Sequence, residues 1–193
     1  GIPIGPVESL SDEWVDLILH TLKESERLGL EFAMHNCPGW SSSGGPWITP
    51  DKAMQIITWS ETKITGGKQV RIQLPTPKHM FDYYIDTYCL AIPANMKVIP
   101  RLSILELSNR LDKDGVLTWD VPTGELLIMR FGQTAKDQKN KSAPSKSTGL
   151  DCDKFSTEAL DYHLNCMFKR LMPTMEKIAK HSKIGLLIDS YET

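Results

Sequence analysis

Gly29–Asn36, GLEFAMHN, is the stretch on which the fold turns. Its centre, Leu30-Glu31-Phe32-Ala33-Met34, is a short, nearly continuous apolar run. Lacking the polar alternation of a half-solvated strand, such a run reads as a strand covered on both faces, as in a parallel sheet. The strand spans 30–35 and ends at His35.

The residues before this run form a helix over 11–28. Ser11 is its cap, Asp12 and Glu13 fill the first turn, and Leu10 is placed to staple onto Val15. Trp14, Leu17, Ile18, Thr21, Leu22 and Leu28 recur at helical spacing, and Gly29 supplies a left-handed stop. The same rhythm returns at the far end. Ser156 caps a helix over 156–181, with Phe155 stapled to Leu160 and Pro173 marking a kink or a break. Lys183–Asp189 then gives a second apolar strand, 184–189, which runs into Ser190-Tyr191-Glu192.

Helix, apolar strand, helix, apolar strand is the pattern of α/β units, which place both strand ends on one rim. In open sheets and barrels that rim carries the site. Between the two units, residues 51–150 hold consecutive strand-like segments: Ile56–Ile64, Val70–Leu74, Tyr84–Ile92, Val98–Leu107, Val116–Val121 and Leu126–Phe131. A hairpin turn is expected at Pro122-Thr123-Gly124. The expected architecture is therefore α/β: parallel helix–strand units in 1–50 and 151–193, interrupted at 51–150 by an antiparallel, sandwich-like insertion. The lysine-bearing stretch Gln133–Gly149 is expected to be a solvated loop.

Composition limits the function. The chain has 193 residues, 40% hydrophobic and 24% charged, and a net charge of −2, so it carries no field that would draw nucleic acid or an anionic membrane. No apolar run is long enough to span a bilayer, and residues 1–20 have no secretory-signal pattern. Cys37, Cys89, Cys152 and Cys166 have no C-x-x-C spacing and read as thiols.

The chemistry gathers at the rim. His35 and Asn36 follow the first strand, and Asp189 and Glu192 follow the second. A carboxyl group there serves as proton donor or base if its surroundings tune it. The loop HNCPGWSSSGGPW (35–47) adds Trp40 and Trp47, whose faces suit the C–H face of a sugar, while His, Asn and Asp suit its hydroxyls. Each also has a structural alternative: His35 or Asp189 bonding backbone, the tryptophans packing in a core. Strand alternation sends Asp189 and Glu192 to opposite faces unless the backbone turns between them. Asp151 and Asp153 offer oxygen ligands, too few by themselves for calcium. The serine run 41–43 fits neither a phosphate loop nor a nucleophile elbow.

GLEFAMHNCPGWSSSGGPWITPDKAMQIITWSET, LTWDVPTGELLIMRFGQT, STGLDCDKFSTEALDYHLN and GLLIDSYE resemble glycoside hydrolase family 106, the α-L-rhamnosidases and their relatives, over nearly the whole chain. The resemblance implies a part of a large multidomain enzyme with a (β/α)-barrel catalytic domain, of which 1–50 and 151–193 would be a partial barrel segment. That enzyme would be periplasmic or secreted, would use calcium, and would cleave α-L-rhamnosides of plant or bacterial polysaccharides with inversion. On that model Glu192 is the general acid, and His35, Asn36, Trp40, Trp47 and Asp189 contact substrate. The second carboxylate belongs to the remainder of the parent chain. The alternative is a non-catalytic carbohydrate-binding or structural β-module.

Overall fold

The computed structural model describes residues 5–41 and 43–188. In chain order its elements are α1 (Asp12–Leu28), β1 (Phe32–His35), β2 (Gln55–Thr65), β3 (Gln69–Gln73), β4 (Ile85–Pro93), β5 (Leu105–Glu106), β6 (Val116–Asp120), β7 (Glu125–Ala135), α2 (Thr157–Phe168), α3 (Met172–Ile178) and β8 (Ile184–Leu187). They divide into two compact units, Gly1–Met54 with Asp137–Thr193, and Gln55–Lys136. The β-rich unit is thus narrower than 51–150, because residues 137–150 belong with the helices.

In the first unit, α1 starts and stops as its sequence dictates. Ser11 Oγ accepts a hydrogen bond from the Trp14 amide at 3.1 Å. Gly29 adopts a left-handed φ of 68°, and the amides of Gly29 and Leu30 return to the carbonyls of Glu26 and Ser25. This paired closure satisfies two of the helix's terminal carbonyls and aims the chain back along the helix into β1. The buried stripe is Val15 and Leu22, backed by Trp14, Ile18 and Leu19, whereas Leu17 and Leu28 are exposed.

Ser156 caps α2 through the Ala159 amide at 3.2 Å. The expected staple is absent, since Phe155 is 76% exposed. The single helix expected over 156–181 is two, α2 and α3, with Pro173 in the first turn of α3. Proline has no N–H to give there and its fixed φ suits a helix start, so the break falls just before it.

β1 and β8 pair in parallel, in register from Phe32↔Ile184 to His35↔Leu187. The Asn36 amide extends the ladder to the Leu187 carbonyl at 3.3 Å. Phe32, Met34 and Ile184 join Met167, Phe168, Leu171, Met175 and Ile178 in the core under the helices. Alternation sends Ala33 and His35 to the opposite face. The two strands are shorter than the expected 30–35 and 184–189.

The second unit is a two-sheet sandwich. One sheet runs β2-β7-β4-β5, the other β3-β6, all paired antiparallel. Leu74, Cys89, Ala91, Leu107, Leu117, Trp119, Val121 and Ile128 form the core between them. The hairpin expected at Pro122–Gly124 does not occur, because β6 pairs with β3 while β7 pairs with β2 and β4. The turn instead carries the chain from one sheet to the other, beside the parallel crossing at Gly66-Gly67, whose amides bond Gly124 and Val121. Nor is 98–107 one strand; only Leu105–Glu106 pairs, after a short turn at Arg101–Ser103.

Candidate active site

His35 closes β1, and Asn36 and Cys37 begin the loop beyond it. Asn36 is buried at 4% exposure, and His35 is half-buried. His35 Nδ1 is buried without a hydrogen-bond partner among the described residues. An unmet buried ring nitrogen costs about 1–3 kcal/mol.

Backbone contacts hold the loop still. A side chain at Gly39, where φ is 90°, would collide with the Lys141 carbonyl. Trp40 N donates to Lys141 O at 2.9 Å and Gly45 N to Leu150 O at 3.2 Å. Asn140, almost fully buried, donates to the carbonyls of Pro38 and Ser147 and accepts from the Gly149 amide. The Cys37 thiol donates to Ser41 O at 2.8 Å. Residues 137–150 are therefore a strap over the site loop. The solvated loop expected over Gln133–Gly149 holds for the exposed Lys139, Lys141 and Lys146, the last reaching outward to Glu8, but Gln133–Ala135 belong to β7 and Asn140 and Ser147 face in.

Beneath the loop lies a buried ion pair. Lys154 Nζ sits 2.6 Å from Asp151 Oδ2, their side chains 4% and 1% exposed, and Ser43 Oγ donates to Asp151 Oδ1 at 3.1 Å. Asp151 is thereby committed to a lysine and a serine. Among the described residues no group of three or more His, Cys, Asp or Glu side chains is placed to hold a metal ion.

The two loop tryptophans differ. Trp40 stands out at 55% exposure. Trp47 packs against the helical core, and its indole Nε1 donates to His163 Nδ1 at 3.2 Å with ring centroids 5.7 Å apart. His163, fully buried on α2, uses Nε2 to reach the Asn36 carbonyl at 2.8 Å. Burial pushes its pKa below the usual histidine value, against the Asn36 hydrogen bond and Asp151, which act the other way. In the sequence His163 is inconspicuous among apolar neighbours. Its one signal was spacing: Ala159, His163 and Met167 recur every fourth residue along the buried face of α2.

A cavity of about 250 Å³ lies behind the loop, lined chiefly by Leu10, Trp14, Ile18, Met34 and Met167, with His35 at its edge. Its apolar walls offer little to sugar hydroxyls. Asp189 and Glu192 lie outside the described residues. Cys37, Cys89 and Cys152 are buried thiols and Cys166 is exposed.

The solved structure described as a rhamnosidase from Novosphingobium sp. PP1Y superimposes on the whole chain with a TM-score of 0.80 at 17% identity, over 34% of that chain. A curated protein of Formosa agariphila, named putative beta-glucuronidase, is 36% identical over 223 aligned residues, which take in all of this chain and 19% of the relative. The chain thus spans about a fifth of that relative and a third of the solved chain. A family model described as alpha-L-rhamnosidase matches residues 5–87 and 78–193. The chain belongs to glycoside hydrolase family 106.

Proposed function

We propose that the chain supplies part of the sugar cleft of a larger glycoside hydrolase that cleaves α-L-rhamnosides of plant or bacterial polysaccharides, outside the cytoplasm. The observation that carries this reading is the parallel pairing of β1 with β8. Two co-directional neighbours send the loops after His35 and after Leu187 out of the same rim, which is where a (β/α) barrel gathers its reacting groups. In this reading β1 and β8 are adjacent barrel strands, and the sandwich is an insertion between them.

Glu192 then follows a strand end, where it gives its proton to the departing glycosidic oxygen. Inversion needs a second carboxylate, about 6.5–9.5 Å away, to draw a proton from water on the opposite face of the sugar. The remainder of the parent chain provides it. His35 offers a ring nitrogen to a sugar hydroxyl, Asn36 and Asp189 hold neighbouring hydroxyls, and exposed Trp40 covers an apolar sugar face. Trp47, packed on the helical core, supports that surface from beneath.

In the intact enzyme, Glu192→Gln lowers turnover of an α-L-rhamnoside by about 10²–10⁴-fold with folding unchanged. Near-normal turnover removes Glu192 from the role. The same assay on a β-glucuronide separates the two sugars that the relatives' names bring forward.

A second reading is favoured by one feature of the sandwich. Trp59, Phe131 and Tyr88 are register partners across β2, β7 and β4, with Trp59 and Tyr88 more than half exposed. Such an aromatic row offers a glycan a stacking surface of its own. Calorimetry with rhamnose-containing oligosaccharides decides: binding that Trp59→Ala and Tyr88→Ala abolish supports it, and binding indifferent to them removes it.

A further inference from the structure

His163 has both ring nitrogens engaged by groups of fixed role. An indole N–H can only donate, so Nδ1, facing Trp47 Nε1 at 3.2 Å, must present its lone pair. A carbonyl can only accept, so Nε2, facing Asn36 O at 2.8 Å, must carry the proton. The two contacts together admit one species, the neutral imidazole protonated at Nε2. A second proton would set N–H against N–H at the tryptophan.

The parts that this ring joins lie far apart in sequence. Asn36 is the first residue beyond β1, Trp47 ends the site loop, and His163 stands in the middle of α2, a helix also fixed at its start by Ser156. The ring is fully buried. The charged group that bears on it is Asp151, already paired with Lys154. The Asp151 carboxylate therefore gives the imidazole little cause to charge.

We propose that His163 is a positioning residue of the sugar site: in one neutral tautomer it pins both ends of the loop 36–47 to α2 and so fixes where His35 and Asn36 stand. This proposal rests on the reading of that rim as the sugar site. It predicts a loss of order at acid pH that begins in the loop. Protonating His163 breaks the Trp47 hydrogen bond first, leaving the Asn36 contact in place.

The test combines imidazole and indole nitrogen–proton spectra with activity. At pH 7.5 the His163 ring should show a protonated Nε2 and a bare Nδ1, and it should stay so through about pH 6.5, where ordinary histidines titrate. The Trp47 indole proton should be protected from exchange, and that protection should vanish together with the titration of His163 at lower pH. In His163→Gln, whose amide can donate to Asn36 and accept from Trp47 without titrating, protection should persist into the acid range. In the intact enzyme, His163→Gln should keep kcat, while a folded His163→Leu should lose about 10-fold or more through misplacement of the loop. A proton on Nδ1, ordinary titration with the Trp47 signal unmoved, or equal kcat in the Leu and Gln variants would overturn the proposal. The spectra do not depend on the substrate: an enzyme inert toward rhamnosides that still shows the expected spectra refutes the sugar reading and leaves the tautomer lock standing.

Discussion

At the scale of single residues, polar groups with no route to solvent define this molecule more sharply than its apolar ones. Asp151 and Lys154 are the clearest pair, 2.6 Å apart with Ser43 completing the carboxylate. Removing one partner of a buried ion pair leaves a charge with nothing to offset its desolvation, a cost of about 3–5 kcal/mol. Lys154→Met should lower unfolding stability by that amount in denaturant titrations. The double change Asp151→Leu with Lys154→Met should recover much of the loss, since an apolar pair needs no compensation. A single variant as stable as the parent would mean that the pair carries no such burden. Asn140 and His163 follow the same logic as bridges between distant segments.

At the scale of elements, what could be read in the sequence was what local chemistry decides. The caps at Ser11 and Ser156, the stop at Gly29, the break before Pro173 and strands β2, β3, β6 and β7 all follow from residues within a turn of the feature. Strand pairing does not. Pro122-Thr123-Gly124 has the composition of a hairpin turn, yet partner choice depends on β2 and β4, which compete for β7 and win. The strap 137–150 deceived for a related reason. Its lysines suggest solvent, but the deciding residue is Asn140, whose partners Pro38 and Ser147 include one that only the tertiary fold brings near. His163 was hidden in the same way among apolar neighbours.

The sandwich has its own long-range bond. Arg130 of β7, nearly buried, grips Asp86 of β4 through Nε and Nη2, each at 2.7 Å. The Arg130 guanidinium, ahead of the Tyr84 hydroxyl, holds the Asp86 carboxyl below the usual aspartate range despite partial burial. The folded state thus favours ionised Asp86 more than the unfolded chain does. That stability is fully present above the unfolded aspartate pKa, about 3.9, and is lost as pH falls from there toward the folded value. Unfolding measured across pH should show the protein and Asp86→Asn converging below about pH 4. A gap that stays constant would assign the difference to packing.

At the scale of the whole molecule, the β1-β8 sheet has two strands among the described residues, and it packs on the helical core through Phe32, Met34 and Ile184. Leu186, Leu187 and Ile188 are 48%, 50% and 58% exposed. Apolar strands with open edges invite pairing. Expressed alone, the chain should self-associate in sedimentation velocity, and Leu187→Lys should shift it toward monomer. A monodisperse parent would show that these edges are closed by residues of the chain itself.

The central claim is that the chain leaves β1 and β8 at one rim and there meets the sugar. The structure of the intact Glu192→Gln enzyme with a bound rhamnoside tests it most directly. The account predicts the sugar at that rim, with a hydroxyl within hydrogen-bonding distance of His35 and the residue-192 amide facing the glycosidic oxygen. A rhamnoside bound elsewhere, with His35 and residue 192 on different sides of the molecule, would contradict it.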